Sequence, residues 1–403
     1  MKAGERSISA QTFGSDEGAV ATVAAGLDDP RYLGKSIDEL ETPCLLVDLD
    51  QLDANIRQWQ EVADAAAMRL RPHIKTHKIP EIARMQVDAG ACGIAVAKVA
   101  EAEVFVQHGF RDVVVAYPIF GASKWARAAA LASVAKIAVN VDNLAALHGL
   151  SEAATAQDVS VGIQVEIDTG FHRCGFPIED FPAIEEASRL AQSLPGLEFE
   201  GVTTHRGYFF EGASEMSIDE AGEREGALLV GVADQLRDAG LEVREVTAGG
   251  TITGRGVARV EGVTEIRAGT YVFNDLMQLG FGSANRDDLA LSVLATVVSA
   301  HHPPMATIDA GSKTFSSDRG VIGAGSEDGT PIARAVARDV SVERLTEEHG
   351  MVRSSDGALQ VGERLAFFPM HACTSVNLAD ELYAVRDGVV EHVWPVLGRG
   401  KRT

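Results

Sequence analysis

The chain has 403 residues, 46% of them apolar, four cysteines and a formal net charge of −22. That length suits two domains, or one barrel with an appended domain. The charge excludes a nucleic-acid partner, which needs a basic face, and no apolar run approaches the ~20 residues of a membrane span.

The first thirty residues lack the basic start and continuous apolar stretch of a secretory signal, and residues 1–40 are expected to form an N-terminal extension. The cysteines at 44, 92, 174 and 373 make no spacing framework, which suits a reducing cytoplasm. Cys44–Asp48 is an apolar strand candidate that can join either the barrel's edge or the second domain.

From about residue 68 to 272, β-rich runs alternate with Ala/Leu/Glu-rich helical patterns. The predicted strands are Arg69–Lys75, Gly93–Lys98, Asp112–Pro118, Lys136–Asp142, Val159–Ile167, Glu198–His205, Glu242–Ala248 and Glu265–Tyr271. Eight strands with intervening helices are the count for a (β/α)8 barrel. An open doubly wound sheet gives the same alternation, although no Gly-x-Gly-x-x-Gly opens the first unit. After Gly280 the pattern changes: Leu291–Ala300, Met305–Ala310, Leu365–Pro369 and Tyr383–Trp394 are strand-like and joined by polar turns, predicting a mainly β second domain. The expected division is therefore an extension over 1–40, a barrel over 41–280 and a β-rich domain over 281–403.

Barrel enzymes carry their chemistry at the C-terminal ends of the strands, and the unusual residues cluster there. Lys75 ends strand one within Arg71-Pro72-His73-Ile74-Lys75-Thr76-His77-Lys78. A lysine among other cations can have its pKa lowered enough to act as a nucleophile. Arg173 follows strand five in the glycine-bracketed loop Asp168–Gly175, able to grip a carboxylate or phenolate, or to pair structurally with Asp168. His205 and Tyr208 follow strand six. Thr247-Ala248-Gly249-Gly250-Thr251 follows strand seven and has the composition of a phosphate cradle, or of a plain turn. Tyr271 ends strand eight, where it can line the barrel mouth or pack in the core. In the second domain, Asp309–Lys313 and Ser316–Asp318 form polar turns that can complete a pocket or remain solvated. His371-Ala372-Cys373 places imidazole and thiol at i and i+2, on one side of a strand, either as a ligand pair for one metal ion or as a buried cysteine beside a hydrogen-bonded histidine.

Together these residues resemble the D-threonine aldolase and D-serine dehydratase family, the metal-dependent branch of the alanine-racemase-type (fold type III) pyridoxal phosphate enzymes. The resemblance spans Glu41-Thr42-Pro43 to Trp394-Pro395 and is most specific at Arg71–Lys78, at Asp309–Lys313, and at His371-Ala372-Cys373 with Val376-Asn377-Leu378. It implies that Lys75 anchors pyridoxal 5'-phosphate, that Arg173 flanks its ring, and that Thr247, Gly249, Gly250, Thr251 and Tyr271 belong to the cofactor site. His371 and Cys373 become ligands of a divalent metal (Zn, Mn or Mg), and His205 and Tyr208 acid–base groups beside Lys75. The resemblance also implies a homodimer acting on a small D-amino acid. Retro-aldol cleavage of a β-hydroxy-D-amino acid is the expected activity. Dehydration of D-serine or D-3-hydroxyaspartate is the alternative: the dehydratases share the cysteine, where some aldolases carry aspartate. A metal-independent racemase and a non-catalytic pyridoxal phosphate carrier are the readings from other classes.

Overall fold

A computed structural model describes residues 31–207, 215–319 and 331–403. In chain order, the first strands are β1 (Cys44–Asp48), β2 (Arg69–Leu70), β3 (Ile94–Val96), β4 (Asp112–Val115), β5 (Lys136–Val141) and β6 (Val161–Asp168). They continue with β7 (Phe176–Pro177), β8 (Leu197–Thr204), β9 (Glu245–Ala248) and β10 (Glu265–Ile266). Eight of these run parallel in the order β2-β10-β9-β8-β6-β5-β4-β3. The ends meet through a parallel bridge between His73 and Ala95, with Ala95 N donating to Pro72 O at 2.8 Å. The sheet is thus a TIM-like barrel, as the alternation predicts.

Local chemistry explains the outer layer. Helix Leu49–Ala65 starts where Asp48 caps Gln51 N and buries Leu49, Leu52, Ile56, Trp59 and Ala63, an i/i+3/i+4 stripe. Pro80 opens helix Pro80–Asp88. Along β6, Val161, Ile163, Val165 and Ile167 are buried apolar residues, whereas Gln164 and Glu166 alternate with them and turn to other strands. Gln164 Nε2 donates to Glu200 at 3.3 Å, and Asn140 Nδ2 donates to Glu166 at 3.2 Å. The barrel interior is therefore a polar lattice rather than layers of branched aliphatics. Its floor is ionic: Arg71 Nε meets Glu265 at 2.8 Å and Arg71 Nη1 meets Asp112 at 2.6 Å.

The remaining strands are β11 (Leu291–His302), β12 (Met305–Ile308), β13 (Ala333–Ala335), β14 (Val340–Leu345), β15 (Gly350–Ser354), β16 (Arg364–Pro369), β17 (Glu381–Arg386) and β18 (Val389–Pro395). They form one sheet with β1, in the order β12-β15-β14-β13-β16-β11-β1-β17-β18. A further β11–β12 pairing curls the β11-to-β16 strands into a ring, so β1 belongs to the second domain's sheet. The single strand expected over 383–394 is a hairpin. Asp387 and Gly388 have φ of 49° and 75°, the left-handed pair that a two-residue turn requires. Of the expected extension, residues 31–40 lie against this hairpin, with Gly34 N donating to Val390 O at 2.9 Å. No helix among the described residues is long and apolar enough to cross a membrane.

The buried Arg71–Glu265 pair gives a direct test of the barrel floor. Arg71→Met leaves a buried carboxylate without its counter-ion and is expected to lower the unfolding free energy by about 3–5 kcal/mol. Removing both charges together is expected to cost much less. Urea unfolding of the two variants checks this, and equal losses would contradict it.

Candidate active site

Lys75 sits in a one-turn 3-10 helix, Ile74–Thr76, that His73 caps: His73 Nδ1 accepts Lys75 N–H at 3.4 Å. The next residues lock this turn. Buried His77 accepts Ile79 N–H on Nδ1 at 3.1 Å, which leaves the proton on Nε2 to donate to Gln86 Oε1 at 3.2 Å. Gln86 Nε2 donates in turn to the Tyr271 hydroxyl at 2.8 Å. Burial pushes the His77 pKa down to about 3, so this chain stays neutral.

Beyond the turn, the Lys75 side chain stands in a cavity of about 650 Å³ between the barrel mouth and the second domain. It is solvent-accessible within that space but walled by protein. Desolvation by those walls lowers its ammonium pKa. The Cys373 charge opposes the shift, and Arg173 and Arg267 add to it.

The loop after β6 delivers Arg173. Asp168 Oδ1 accepts Gly170 N–H at 2.8 Å and His172 N–H at 3.0 Å, and Oδ2 faces His172 Nδ1 at 3.0 Å. Gly175 permits the return, since a Cβ there would lie 2.5 Å from Asp168 N. Asp168 thus holds the loop and His172, leaving Arg173 over the Phe171 ring at 5.0 Å, on the cavity wall.

After β9, the turn at Gly249 and Gly250 also lines the cavity. Its support is the fully buried carboxylate of Glu225, which accepts Arg206 N–H at 3.0 Å, Gly249 N–H at 3.4 Å and the Thr253 hydroxyl at 2.7 Å. Helix Ile218–Asp238 comes this close because Gly222 faces the turn: a Cβ there would lie 2.1 Å from Thr253 O. Thr251 Oγ1 accepts Gly269 N–H and Tyr271 N–H, each at 3.2 Å. Both of its acceptor positions are used, so its own proton remains to donate to an anion.

His205 follows β8 on the cavity wall, edge-on to Phe171 with centroids 6.0 Å apart. Burial, then the charges of Lys75, Arg173 and Arg267, hold its pKa well below the ordinary value. His73 is kept neutral in the same way.

Two expected cofactor residues lie elsewhere. Thr247 is fully buried inside the barrel, below the cavity, and its hydroxyl has no partner among the described residues. The Tyr271 ring is core: it is fully buried against Trp59, centroids 5.3 Å apart, with its hydroxyl on Gln86. Its backbone is drawn inward by Thr251, and the ring follows. Tyr208 lies outside the described residues.

Arg267, immediately past the end of β10, lines the cavity and was not singled out from sequence. Its guanidinium reaches Asn140 Oδ1 at 3.5 Å and the Thr203 hydroxyl, and it lines the cavity with Glu166. The available signal was an arginine at the C-terminal end of a barrel strand.

His371 and Cys373 are brought to the same cavity, but not on a strand. β16 ends at Pro369, His371 takes the N-cap position of helix Ala372–Leu378, and Cys373 lies in the helix's first turn. The two side chains are close enough to perturb each other's titration. Burial opposes protonation of His371, but the Cys373 hydrogen bond and charge, then Asp275 and Asp318, raise its pKa to about 10. Burial raises the Cys373 thiol, and the His371 bond and charge with the Thr76 hydroxyl outweigh it, so the net shift is downward. Cys373 Sγ lies 3.3 Å from Thr76 Oγ1, and His371 Nδ1 meets Asp318 Oδ2 at 2.7 Å.

A carboxylate on Nδ1 is the usual partner of a metal-binding imidazole, because it leaves Nε2 to the ion. A thiolate beside that nitrogen fits zinc or another divalent cation. Among the described residues no group of three or more His, Cys, Asp or Glu is arranged to hold a metal. Asp309 is a scaffold residue: its carboxylate takes Thr296 N–H at 2.8 Å and the Thr42 hydroxyl at 2.6 Å. Lys313 pairs with Glu348 on the surface at 2.6 Å.

The alanine racemase N-terminal domain family matches residues 47–276, and a putative serine dehydratase domain family matches residues 290–385. The chain is 34% identical to the D-threonine aldolase of an Arthrobacter species over 382 residues, covering 93% of this chain and 97% of that protein. It is 34% identical to the D-threo-3-hydroxyaspartate dehydratase of Delftia sp. strain HT23 over 351 residues, 83% of this chain and 92% of the other. The crystal structure of D-threonine aldolase from Filomicrobium marinum superposes with a TM-score of 0.82 at 31% identity, over 92% of this chain and 99% of that one. The chain therefore belongs to the D-threonine aldolase and D-serine dehydratase family of fold type III pyridoxal phosphate enzymes, and is a lyase.

Proposed function

We propose that this lyase uses pyridoxal 5'-phosphate and a divalent cation to cleave β-hydroxy-D-amino acids, D-threonine among them, to glycine and an aldehyde. The observation that carries this reading is the shared cavity: the Lys75 amine and the His371–Cys373 pair line one space. The cofactor, when bound, supplies an electron sink for charge at Cα, and the metal a Lewis acid for the β-hydroxyl oxygen.

The chain's residues divide the remaining work. Lys75, more easily deprotonated than an ordinary lysine, anchors the cofactor covalently. The Gly249-Gly250 backbone and the Thr251 hydroxyl receive its phosphate, and Arg173 and Arg267 supply positive charge to its ring. His371 Nε2 and the Cys373 thiolate hold the cation, with Asp318 fixing the imidazole. Neutral His205 can accept a proton at neutral pH, which a histidinium cannot. Dehydration to a 2-oxo acid and ammonia is the second reading, favoured by Cys373 at the second metal position.

Product analysis with D-threonine, cofactor and manganese tests the function. Glycine and acetaldehyde, abolished by a chelator, are expected. 2-Oxobutanoate with ammonia would replace the aldolase by the dehydratase, and activity that survives chelation would overturn the metal-dependent reading.

Two further outcomes follow from Lys75. Borohydride treatment of the cofactor-loaded protein is expected to fix a pyridoxyl group on the Lys75 peptide, and Lys75→Ala should take up none. The pH dependence has a definite sign. Only the free amine attacks the cofactor aldehyde, so capture by the cofactor-free protein slows as pH falls through the Lys75 pKa. Because that pKa is lowered, the midpoint should lie below the ~10.4 of an unperturbed lysine. A stopped-flow midpoint at or above that value would contradict the assignment.

A further inference from the structure

Helix Ala372–Leu378 begins without a cap of its own, since the His371 side chain in the N-cap position makes no capping hydrogen bond. The acceptor comes from the end of the barrel domain. Asp275 is 1% exposed. Its Oδ1 takes Gln278 N–H at 2.9 Å, capping helix Leu276–Phe281, and its Oδ2 takes Ala372 N–H at 2.9 Å. Two residues further, Met277 N donates to Met370 O at 3.2 Å. The peptide groups on both sides of His371 are therefore held by the same three-residue segment. Ala372 is also the residue between the two donors, so fixing its N–H fixes the directions in which His371 and Cys373 leave the backbone.

We propose that Asp275 is the positioning residue for the His371–Cys373 donor pair and thereby sets the affinity of this enzyme for its divalent cation. It acts through the Ala372 amide and touches neither cation nor substrate. The inference rests on the metal reading above and adds what makes two donors from one short helix sufficient: their geometry is imposed from the other domain before the ion arrives. Pre-organisation of this kind matters most where few protein ligands are present, because each misdirected donor is a large share of the total. The role also explains a buried carboxylate that does not line the cavity. Both of its oxygens are engaged by backbone amides, and an amide side chain offers only one acceptor to two donors.

The test is a cobalt titration of the cofactor-loaded protein, following the near-ultraviolet thiolate-to-cobalt band. Wild type is expected to show the band and Cys373→Ala to lack it. Asp275→Asn should weaken cobalt binding about 10–100-fold, the usual effect of removing a residue that orients metal ligands, and should alter the band's shape while cofactor loading and far-ultraviolet circular dichroism stay unchanged. Asn377→Ala, which loosens the far end of the same helix by removing the 2.7 Å contact with Lys78 Nζ, should leave the band and the affinity at wild-type values. That control separates positioning of the donors from general loosening of the helix. If Asp275→Asn fails to fold, Asp275→Glu, which keeps charge and acceptors but displaces them by a methylene, carries the measurement. A folded Asp275 variant with wild-type affinity and spectrum would overturn the proposal. Wild-type protein without the band would overturn the metal reading and this one with it.

Discussion

The active site depends on the seating of one seven-residue helix, Ala372–Leu378, across the mouth of the barrel. Its start, where His371 and Cys373 stand, is held by Asp275 and Met277 and by the Cys373–Thr76 contact in the first turn; a separate contact at its far end joins Asn377 to Lys78 at 2.7 Å, whose ammonium also reaches Glu101 at 3.1 Å. Thr76 and Lys78 belong to the same short segment as Lys75. The segment that carries Lys75 therefore also contacts the helix that carries Cys373.

The electrostatics of the cavity run against those of the whole molecule. The chain carries a net charge of −22, yet Lys75, Arg173 and Arg267 converge on one space, and their combined field, with burial, keeps His73 and His205 neutral. Such a cluster attracts a phosphate ester and an amino acid carboxylate at short range while the outer surface stays soluble. The polar interior of the barrel is the structural counterpart of this arrangement. Arg267 can stand at the cavity floor because Asn140 and Thr203 receive its guanidinium and Glu166 lies beside it. An aliphatic barrel core would leave that cation unpaired.

Much of this was legible in the sequence because barrel chemistry has an address. The alternation of β-rich and helical runs marks eight strand ends, and the Lys75, Arg173, His205 and Gly249-Gly250-Thr251 positions expected there line one cavity in the structure. What was misread depended on contacts between segments far apart in sequence. Period-two spacing suggested that His371 and Cys373 share a strand face. A cap from Asp275, almost a hundred positions away, makes them the start of a helix instead. Tyr271 sits at a strand end by count, but Thr251 takes its amide and Gln86 its hydroxyl, turning the ring into the core. Thr247 fell to the strand's pleat, one register below the cavity. Asp275 and Glu225 were invisible because each acts by accepting backbone amides from distant loops, a role with no local pattern. In the second domain, β13, β14 and β15 have no counterpart among the expected strands, although each alternates buried with more exposed residues.

The central claim is that the barrel lysine and the second domain's donor pair serve one site. The most direct measurement is a crystal structure of the protein with pyridoxal phosphate and manganese, using anomalous scattering to locate the ion. The account predicts electron density continuous from Lys75 Nζ into the cofactor, phosphate at the Gly249-Gly250-Thr251 turn, and the anomalous peak on His371 and Cys373 within the same cavity. A manganese peak elsewhere, or a cofactor not joined to Lys75, would contradict it.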